Sequence, residues 1–488
     1  MALLIMSYSL IFSRLGFRFR RPDQYNYVPT FPVLGCLPSF YKNRHRLLDW
    51  YTELVSASPS HTVLLDRLGA GRTIVTGNPM NVEYVLKTRF ENFPKGRPFT
   101  ELLGDLLGRG IFNADGDLWH AQRKLASHEF SAKSLREFLV GTLRTQVEAR
   151  LLPELEAACA SETAVDVQEI LRRFAFDVVC HVSLGTEYPE GSEFARAFDV
   201  ASAISAGRGR APVFAVWKAK RALRVGSEKK LKEAIDVIHG SVTELIRSRK
   251  KEECITRKKD LLSKLISMSD MDEELIRDMI ISFVMAGRDT TSSAMTWLFW
   301  LLSCNKDVEN ELVQEIESKI GSSSSSSSSI KYENVKEMSL LKACLCESMR
   351  LYPPVAWDSK HAAAADVLPD GTRVRKGDRV TYFPYGMGRL ESLWGMDCGE
   401  FKPRRWIVDD GVGGGVLVVS PYKYPVFQGG PRVCLGKEMA FIQMKYVVAS
   451  ILRRFELVPA NPGRVPRFVP LLTAHMAGGL NVYVRRRK

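Results

Sequence analysis

The chain runs to 488 residues and carries 69 Lys plus Arg against 55 Asp plus Glu, a formal net charge of +14. No internal repeat or long Pro/Gly linker divides it, so it reads as one large domain behind a short leader. The basic excess suits a membrane surface or an acidic protein partner, no basic-aromatic motif speaks for nucleic acid, and nine scattered cysteines exclude a disulfide framework and indicate a reducing compartment.

Residues Ala2 to Phe12 are mostly apolar, and Arg14, Arg18, Arg20 and Arg21 follow them. A membrane span normally needs about 20 apolar residues, so this run is short. Its charges come after the apolar stretch and no small-residue cleavage site closes it, unlike a signal peptide. Residues 1–21 are therefore predicted to be a shortened anchor with the body on the cytoplasmic side, unless the true start lies upstream. Pro22, Pro29, Pro32 and Pro38 then form a stiff connector into the main domain, residues 22–488.

Between His61 and Asn78 two β-rich runs flank Gly69-Ala-Gly71, a hairpin pattern. Residues 80–90 read as helix and Phe93 to Phe99 as loop. Trp119 and Arg123 share one face of the next helix through their i,i+4 spacing; a core Trp beside a solvated Arg is the plain reading. Residues 130–265 read as mostly helical. Within them Gly207 to Pro212 interrupts as a segment over a substrate entrance, His181 reads as a packed core histidine, and Arg247 to Lys251 as a solvated helix end.

Ile276 to Ser303 is a nearly all-round apolar helix of about 28 residues, roughly 42 Å at 1.5 Å per residue. Such a helix belongs at the centre of a large domain. Its middle, Ala286-Gly287-Arg288-Asp289-Thr290-Thr291, is polar, which is costly unless those groups bond something. Two readings stand: a Ser/Thr packing patch, or a groove for oxygen in which Asp289 and Thr290 pass protons. Ser322 to Ser329 is a low-complexity run, expected as a disordered surface insertion. Glu347 and Arg350 are i,i+3 neighbours that predict a salt bridge, worth little if exposed. Cys344 and Cys346 lack a second pair at zinc spacing, and no H-E-x-x-H occurs, so zinc is not expected.

Phe427-Gln-Gly-Gly-Pro-Arg-Val-Cys-Leu-Gly436 then sets Cys434 in a glycine-punctuated loop before a helical pattern running from Ala440 to Phe455. A cysteine just outside a helix N-terminus is favoured as thiolate. Gly430 and Gly436 allow tight turns and close approach of a flat ligand, and Arg432 can meet an anionic group on it. The plain alternative is a buried structural cysteine; an open loop with one thiolate is what a haem iron needs.

The order F-x-x-G-x-R-x-C-x-G resembles the haem-binding loop of the cytochrome P450 family. The Ala286-Gly287-x-Asp289-Thr290 run, the Trp119/Arg123 pair and the Glu347/Arg350 pair with Pro403-Arg-Arg405-Trp406 resemble further motifs of that family, in the same order. The resemblance implies a mainly α fold with a smaller β-rich portion and a long central helix over haem b. Cys434 would be the axial thiolate and iron ligand. Phe427, Gly430, Arg432, Gly436, Trp119, Arg123, Ala286 and Gly287 would contact the cofactor, and Asp289 and Thr290 would be catalytic. It also implies NADPH electrons through the flavoprotein NADPH–cytochrome P450 reductase, with Lys437 suited to its acidic face, and an endoplasmic-reticulum membrane location.

Asp358-Ser-Lys-His361, Tyr385-Gly-Met-Gly-Arg389 and the Trp119 to Phe130 stretch look like the plant branch of fatty-acid ω-hydroxylases. Asn43 to Leu48 and Val216 to Arg221 look closer to jasmonoyl-amino-acid hydroxylases. The substrate implied is a small anionic lipid-like molecule, first jasmonoyl-isoleucine and second a fatty acid. Arg97, Arg109 and Arg210 are candidates for its carboxylate. A reductase-independent haem-thiolate isomerase or dehydratase is disfavoured by the intact Asp289-Thr290, and a silent haem sensor by the completeness of the motifs. The short anchor, the serine run and a shortened region around Glu187 to Phe194 depart from the pattern.

Overall fold

Asp272 opens the longest helix, its side chain accepting from the Leu275 N–H at 2.7 Å, with Glu273 and Glu274 in the positive first turn. A computed structural model describes the fold for residues 28, 30–69, 71–189, 191–209, 214–253, 255–268, 271–321, 330–408 and 415–487. The predicted anchor at residues 1–21, Arg210 with the end of the Gly207 to Pro212 segment, and the serine run all lie outside these residues. Among the described residues no helix is long and apolar enough to cross a membrane.

The helices that build the site are α1 (Arg97–Leu107), α2 (Gly116–Ser131), α3 (Val167–Leu184), α4 (Glu193–Gly209), α5 (Ser227–Lys250), α6 (Leu261–Met268), α7 (Glu273–Cys304), α8 (Ser339–Leu351) and α9 (Lys437–Leu452). The long helix α7 holds 32 residues without a break. It starts three residues before the apolar run because its N-terminal signals, Asp272 to Glu274, are polar. The polar centre does not interrupt it. Residues on every side of α7 are buried, with Trp297 fully so and stacked on Tyr352 at 4.0 Å.

The two larger sheets among the described residues flank the helices. Strands β1 (Thr62–Arg67) and β2 (Gly71–Thr76) form the predicted hairpin, whose turn uses the positive φ of Gly69 and Gly71. A short β3 (Ala164–Asp166) joins a second sheet. The first sheet is completed by β4 (Asp358–His361) and β5 (Arg379–Tyr382) in the order β1-β2-β5-β4, with β2 and β5 parallel. β6 (Phe455–Pro459) and β7 (Asn481–Arg486) pair with β3 in the order β6-β7-β3. The architecture is mainly helical with a smaller strand portion.

Two expectations need correction. Phe93 to Phe99 is not all loop, because α1 begins at Arg97. Pro98 falls in its first turn, where a missing N–H costs no hydrogen bond. The basic run at the end of α5 is not wholly solvated either. Arg249 is buried and donates to Asp260, Ser263 and the carbonyls of Leu184 and Gly185, tying α3, α5 and α6 together. His181 is half-buried, stacked on Phe138. The region after Glu187 is closed by Tyr188 stacked on Phe194 at 4.1 Å, with Glu187 held by Gln146 and Arg150.

Candidate active site

Residues of the loop and of the central helix meet at one internal cavity of about 1020 Å³. That is at the top of the range for sites burying a drug-sized ligand, roughly 300–1,000 Å³. Cys434, Phe427, Arg432 and Gly436 reach its wall from the loop before α9, Trp119 and Arg123 from α2, and Ala286, Gly287 and Thr290 from α7.

The loop is fixed from both ends. The Cys434 N–H donates to the Phe427 carbonyl at 2.8 Å and the Val433 N–H to Gly430 at 3.1 Å. The Phe427 ring packs on Phe441 of α9 at 5.3 Å. The Cys434 sulfur is solvent-accessible although protein surrounds it, because it faces the cavity. Burial pushes its thiol up, and the Gly436 N–H, Arg123 and Lys437 only partly oppose this. Desolvation is thus the largest influence on the thiol in the protein, and the positive groups around it favour the thiolate that an iron would hold.

The two loop glycines differ from each other. Gly430 has φ +63°, and a Cβ there would lie 2.1 Å from the Leu86 carbonyl oxygen. It is needed for packing against the neighbouring backbone and is not on the cavity wall. Gly436 has an ordinary backbone and is the one that borders the cavity, and a Cβ there would lie 3.8 Å from the Phe130 ring.

Trp119 is buried and carries the Arg432 guanidinium over its ring at 4.4 Å. Arg432 does not wait free for an anion. Its Nη2 donates to Asp115 at 2.6 Å and to the Ala114 carbonyl at 3.0 Å, while Nε and Nη1 make no hydrogen bond among the described residues. Arg123, half-buried on the wall, has no hydrogen-bond or ion-pair partner among the described residues.

On α7 the Thr290 hydroxyl donates to the Ala286 carbonyl at 2.7 Å and Thr291 to Gly287 at 2.8 Å. Gly287 is where α3 crosses: a Cβ would meet Val179 at 2.5 Å. Asp289 is not on the cavity wall. Both of its oxygens accept from Arg288, at 2.7 and 3.0 Å, and Arg288 also reaches Asp199 of α4. The structure brings Thr290 to Cys434's cavity and turns Asp289 away from it.

Beneath the loop, Glu347 is fully buried. It accepts from Arg350 at 2.8 and 2.9 Å, Arg405 at 2.8 Å and the Trp406 indole at 2.8 Å. Burial alone would raise its carboxyl, but the Arg350 and Arg405 contacts bring it net below the usual value. The predicted surface-type bridge is a fully enclosed network. Of the arginines predicted for a substrate carboxylate, Arg97 pairs with Glu101 and Arg109 with Asp272, both well exposed and neither on the cavity wall.

Sequence reading missed a buried charge cluster at the cavity edge. Asp358 accepts from Lys95 at 2.9 Å with both oxygens, and from Tyr382 at 2.8 Å, Gln428 at 3.1 Å and Lys360 at 3.3 Å. Burial would raise the Asp358 carboxyl, but the two lysines hold it well below its ordinary range. Lys360 is pulled down to about 7 by its own burial. The only signal was a charged alternation in a short strand, which strand propensity does not favour.

A long buried helix over a cysteine loop, with a buried Glu-Arg-Arg network below it, defines the class of haem-thiolate proteins. The chain belongs to the cytochrome P450 family, whose profile, described as Cytochrome P450, matches residues 27–476. It is 58% identical over 473 residues to cytochrome P450 94B1 of Arabidopsis thaliana, covering 94% of this chain and 91% of that one. Cytochrome P450 94B3 of Arabidopsis thaliana is 59% identical over 94% and 92% of the two chains. Cytochrome P450 94A1 of Vicia sativa is 45% identical over 94% and 90%.

The family implies haem with a cysteine thiolate ligand, and the residues present fit that group. An accessible sulfur faces a cavity wide enough for a flat macrocycle. On its wall, Arg123, without an ion-pair partner among the described residues, and the Nε and Nη1 edge of Arg432 offer cations to carboxylates.

Proposed function

We propose that the protein is a haem-thiolate monooxygenase that hydroxylates the terminal carbon of an anionic, lipid-like substrate. Jasmonoyl-isoleucine, hydroxylated at its carbon 12, is the first choice and a fatty acid at its ω carbon the second. The observation that carries the reading is that Cys434 and Thr290 line one largely apolar cavity.

In this reading Cys434 would hold the haem iron through its thiolate. Arg123, Trp119 and Arg432 hold the propionate edge, and Phe427 and Gly436 shape the face beside the sulfur. The bound haem supplies dioxygen activation and C–H oxidation, which thiolate donation favours. Thr290 spends its own proton on Ala286, so its lone pairs are left to accept from a water in the cavity and hold a proton donor there. Asp289, bridged to Arg288, fixes the outer face of α7 and could share in proton supply only from outside the cavity. Electrons would come from NADPH through the reductase, with exposed Lys437 beside the loop suited to an acidic partner. Residues 1–21 would tether the domain, residues 22–488, to the cytosolic face of the endoplasmic reticulum.

Competition between jasmonoyl-isoleucine and lauric acid at equal concentration, in microsomes with reductase and NADPH, tests the substrate. Preferential oxidation of the conjugate is expected. Predominant ω-hydroxylaurate with the conjugate untouched would overturn the first choice, and turnover independent of NADPH would overturn the reaction class.

A further inference from the structure

Among the described residues the non-glycine positions with a positive φ are Val33, His61, Glu162, Arg224 and Gln428, and of these only Gln428 borders the cavity. Its φ of +60° and ψ of −174° lie in a region that is in practice reserved for glycine. Strain of this kind persists only where the surrounding contacts over-determine it, and it gathers at functional sites. Gln428 stands six residues before Cys434, in the same loop.

The contacts that hold it act on the peptide group and on the side chain. The Gln428 N–H donates to the Pro425 carbonyl at 3.1 Å. The carbonyl of the same peptide group, that of Phe427, accepts from the Cys434 N–H at 2.8 Å. Rotation about φ of Gln428 is what turns this peptide against the side chain. The side chain is tied in turn: its Nε2 donates to Asp358 of β4 at 3.1 Å, across 70 residues of sequence. A carboxylate only accepts, so the amide must present its NH2 there. The other amide atom, Oε1, is buried without a hydrogen-bond partner among the described residues, which leaves Asp358 to hold the side chain. Asp358 is a stiff anchor, because it is buried and takes four further hydrogen bonds, two from Lys95 and one each from Tyr382 and Lys360. The loop's other side-chain anchors, Phe427 on Phe441 and Arg432 on Asp115, lie to either side and do not fix this peptide's rotation.

We propose that Gln428, anchored on Asp358, is a positioning residue for Cys434: it holds the Phe427–Gln428 peptide so that its carbonyl takes the Cys434 N–H, and so sets how the sulfur is presented to the cofactor. This rests on the haem-thiolate reading above, in which Cys434 holds the iron. It gives the buried Asp358 cluster a task at the opposite end of a hydrogen-bond path, from β4 through one amide and one peptide group to the cysteine backbone. It also explains why a strained glutamine stands where an unstrained glycine would fit: the strain is the cost of a side chain long enough to reach the strand.

The test is the absorption spectrum of the reduced carbon-monoxide complex of the haem-loaded protein, with haem content and melting temperature read on the same samples. Gln428→Asn keeps the amide and the strained backbone but falls one methylene short of Asp358. Its ratio of thiol-type to thiolate-type complex should rise about tenfold, which is what losing one hydrogen bond to a charged group allows. Gln428→Gly loses the bond but also the strain, so its ratio should lie between those of wild type and Gln428→Asn. A residue that served the fold alone would lower the melting temperature and leave the ratio of the haem-bound protein unmoved. A wild-type ratio in Gln428→Asn at full haem content would therefore overturn the proposal. Should that variant take up no haem, Gln428→Gly decides by itself, and a wild-type ratio there overturns the proposal equally. If the wild type shows no thiolate-type complex, the ligand reading of Cys434 fails first and takes this proposal with it.

Discussion

At Cys434 burial raises the thiol, and the Gly436 N–H, Arg123 and Lys437 oppose it. An iron bound by that sulfur would hold it as thiolate, since a coordinating thiol is deprotonated outright. Cys434→Ala should lose the thiolate-type spectrum of the reduced carbon-monoxide complex, and an unchanged spectrum would reject the ligand assignment. Lys360 gives a pH signature. Its ammonium is held down to about 7 by burial, against 10.5 ordinarily. Between those values the unfolded chain binds more protons than the folded one, so this group makes stability rise with pH across that window. Lys360→Met leaves Asp358 paired with Lys95 and should flatten the rise. Melting temperatures at pH 7 and pH 9 check it, with the wild type gaining more than the variant. That Cys434, Trp119 and Thr290 share one cavity was implied by the family resemblance, since spacing alone also allowed a structural cysteine, a core Trp and a packing patch. The placement of Asp289 was not legible, since an i,i+1 bridge to Arg288 is one of several rotamer outcomes that spacing leaves open.

Among the elements, α7 was legible because an all-round apolar run of that length has few alternatives, and only its polar first turn escaped the pattern. The start of α1 was misread because proline marks both loops and first turns. Gly287 was expected, from the family resemblance, to contact the cofactor. Its measurable constraint is the crossing with α3, where Val179 occupies the space a side chain would need. Gly287→Ala should destabilise the fold by about 1–3 kcal/mol through overpacking, and Val179→Ala should restore part of the loss. Urea midpoints of the two single variants and the double variant measure this. Equal destabilisation with and without Val179 would show that the constraint lies elsewhere.

For the whole molecule, the ordered motifs were enough to name the family and its mainly helical fold, because each motif serves the same cavity from a different element. The sheet's part in that cavity was not legible. β4 and β5 are four residues each, and their register with the hairpin brings together positions some three hundred residues apart. The charge clusters around Asp358, Arg249 and Arg208 were hidden for the same reason, since each joins groups from separate elements. These enclosed pairs hold the walls, while Arg123 has no ion-pair partner among the described residues and borders the cavity.

The most direct measurement of the central claim is isotopic. The haem-loaded protein is supplied with reductase, NADPH, jasmonoyl-isoleucine, lauric acid and labelled dioxygen in unlabelled water, and the product is analysed by mass spectrometry. The account predicts one labelled oxygen atom at a terminal carbon of the product, with NADPH consumed. A product carrying oxygen from water, or formed without NADPH, would contradict it.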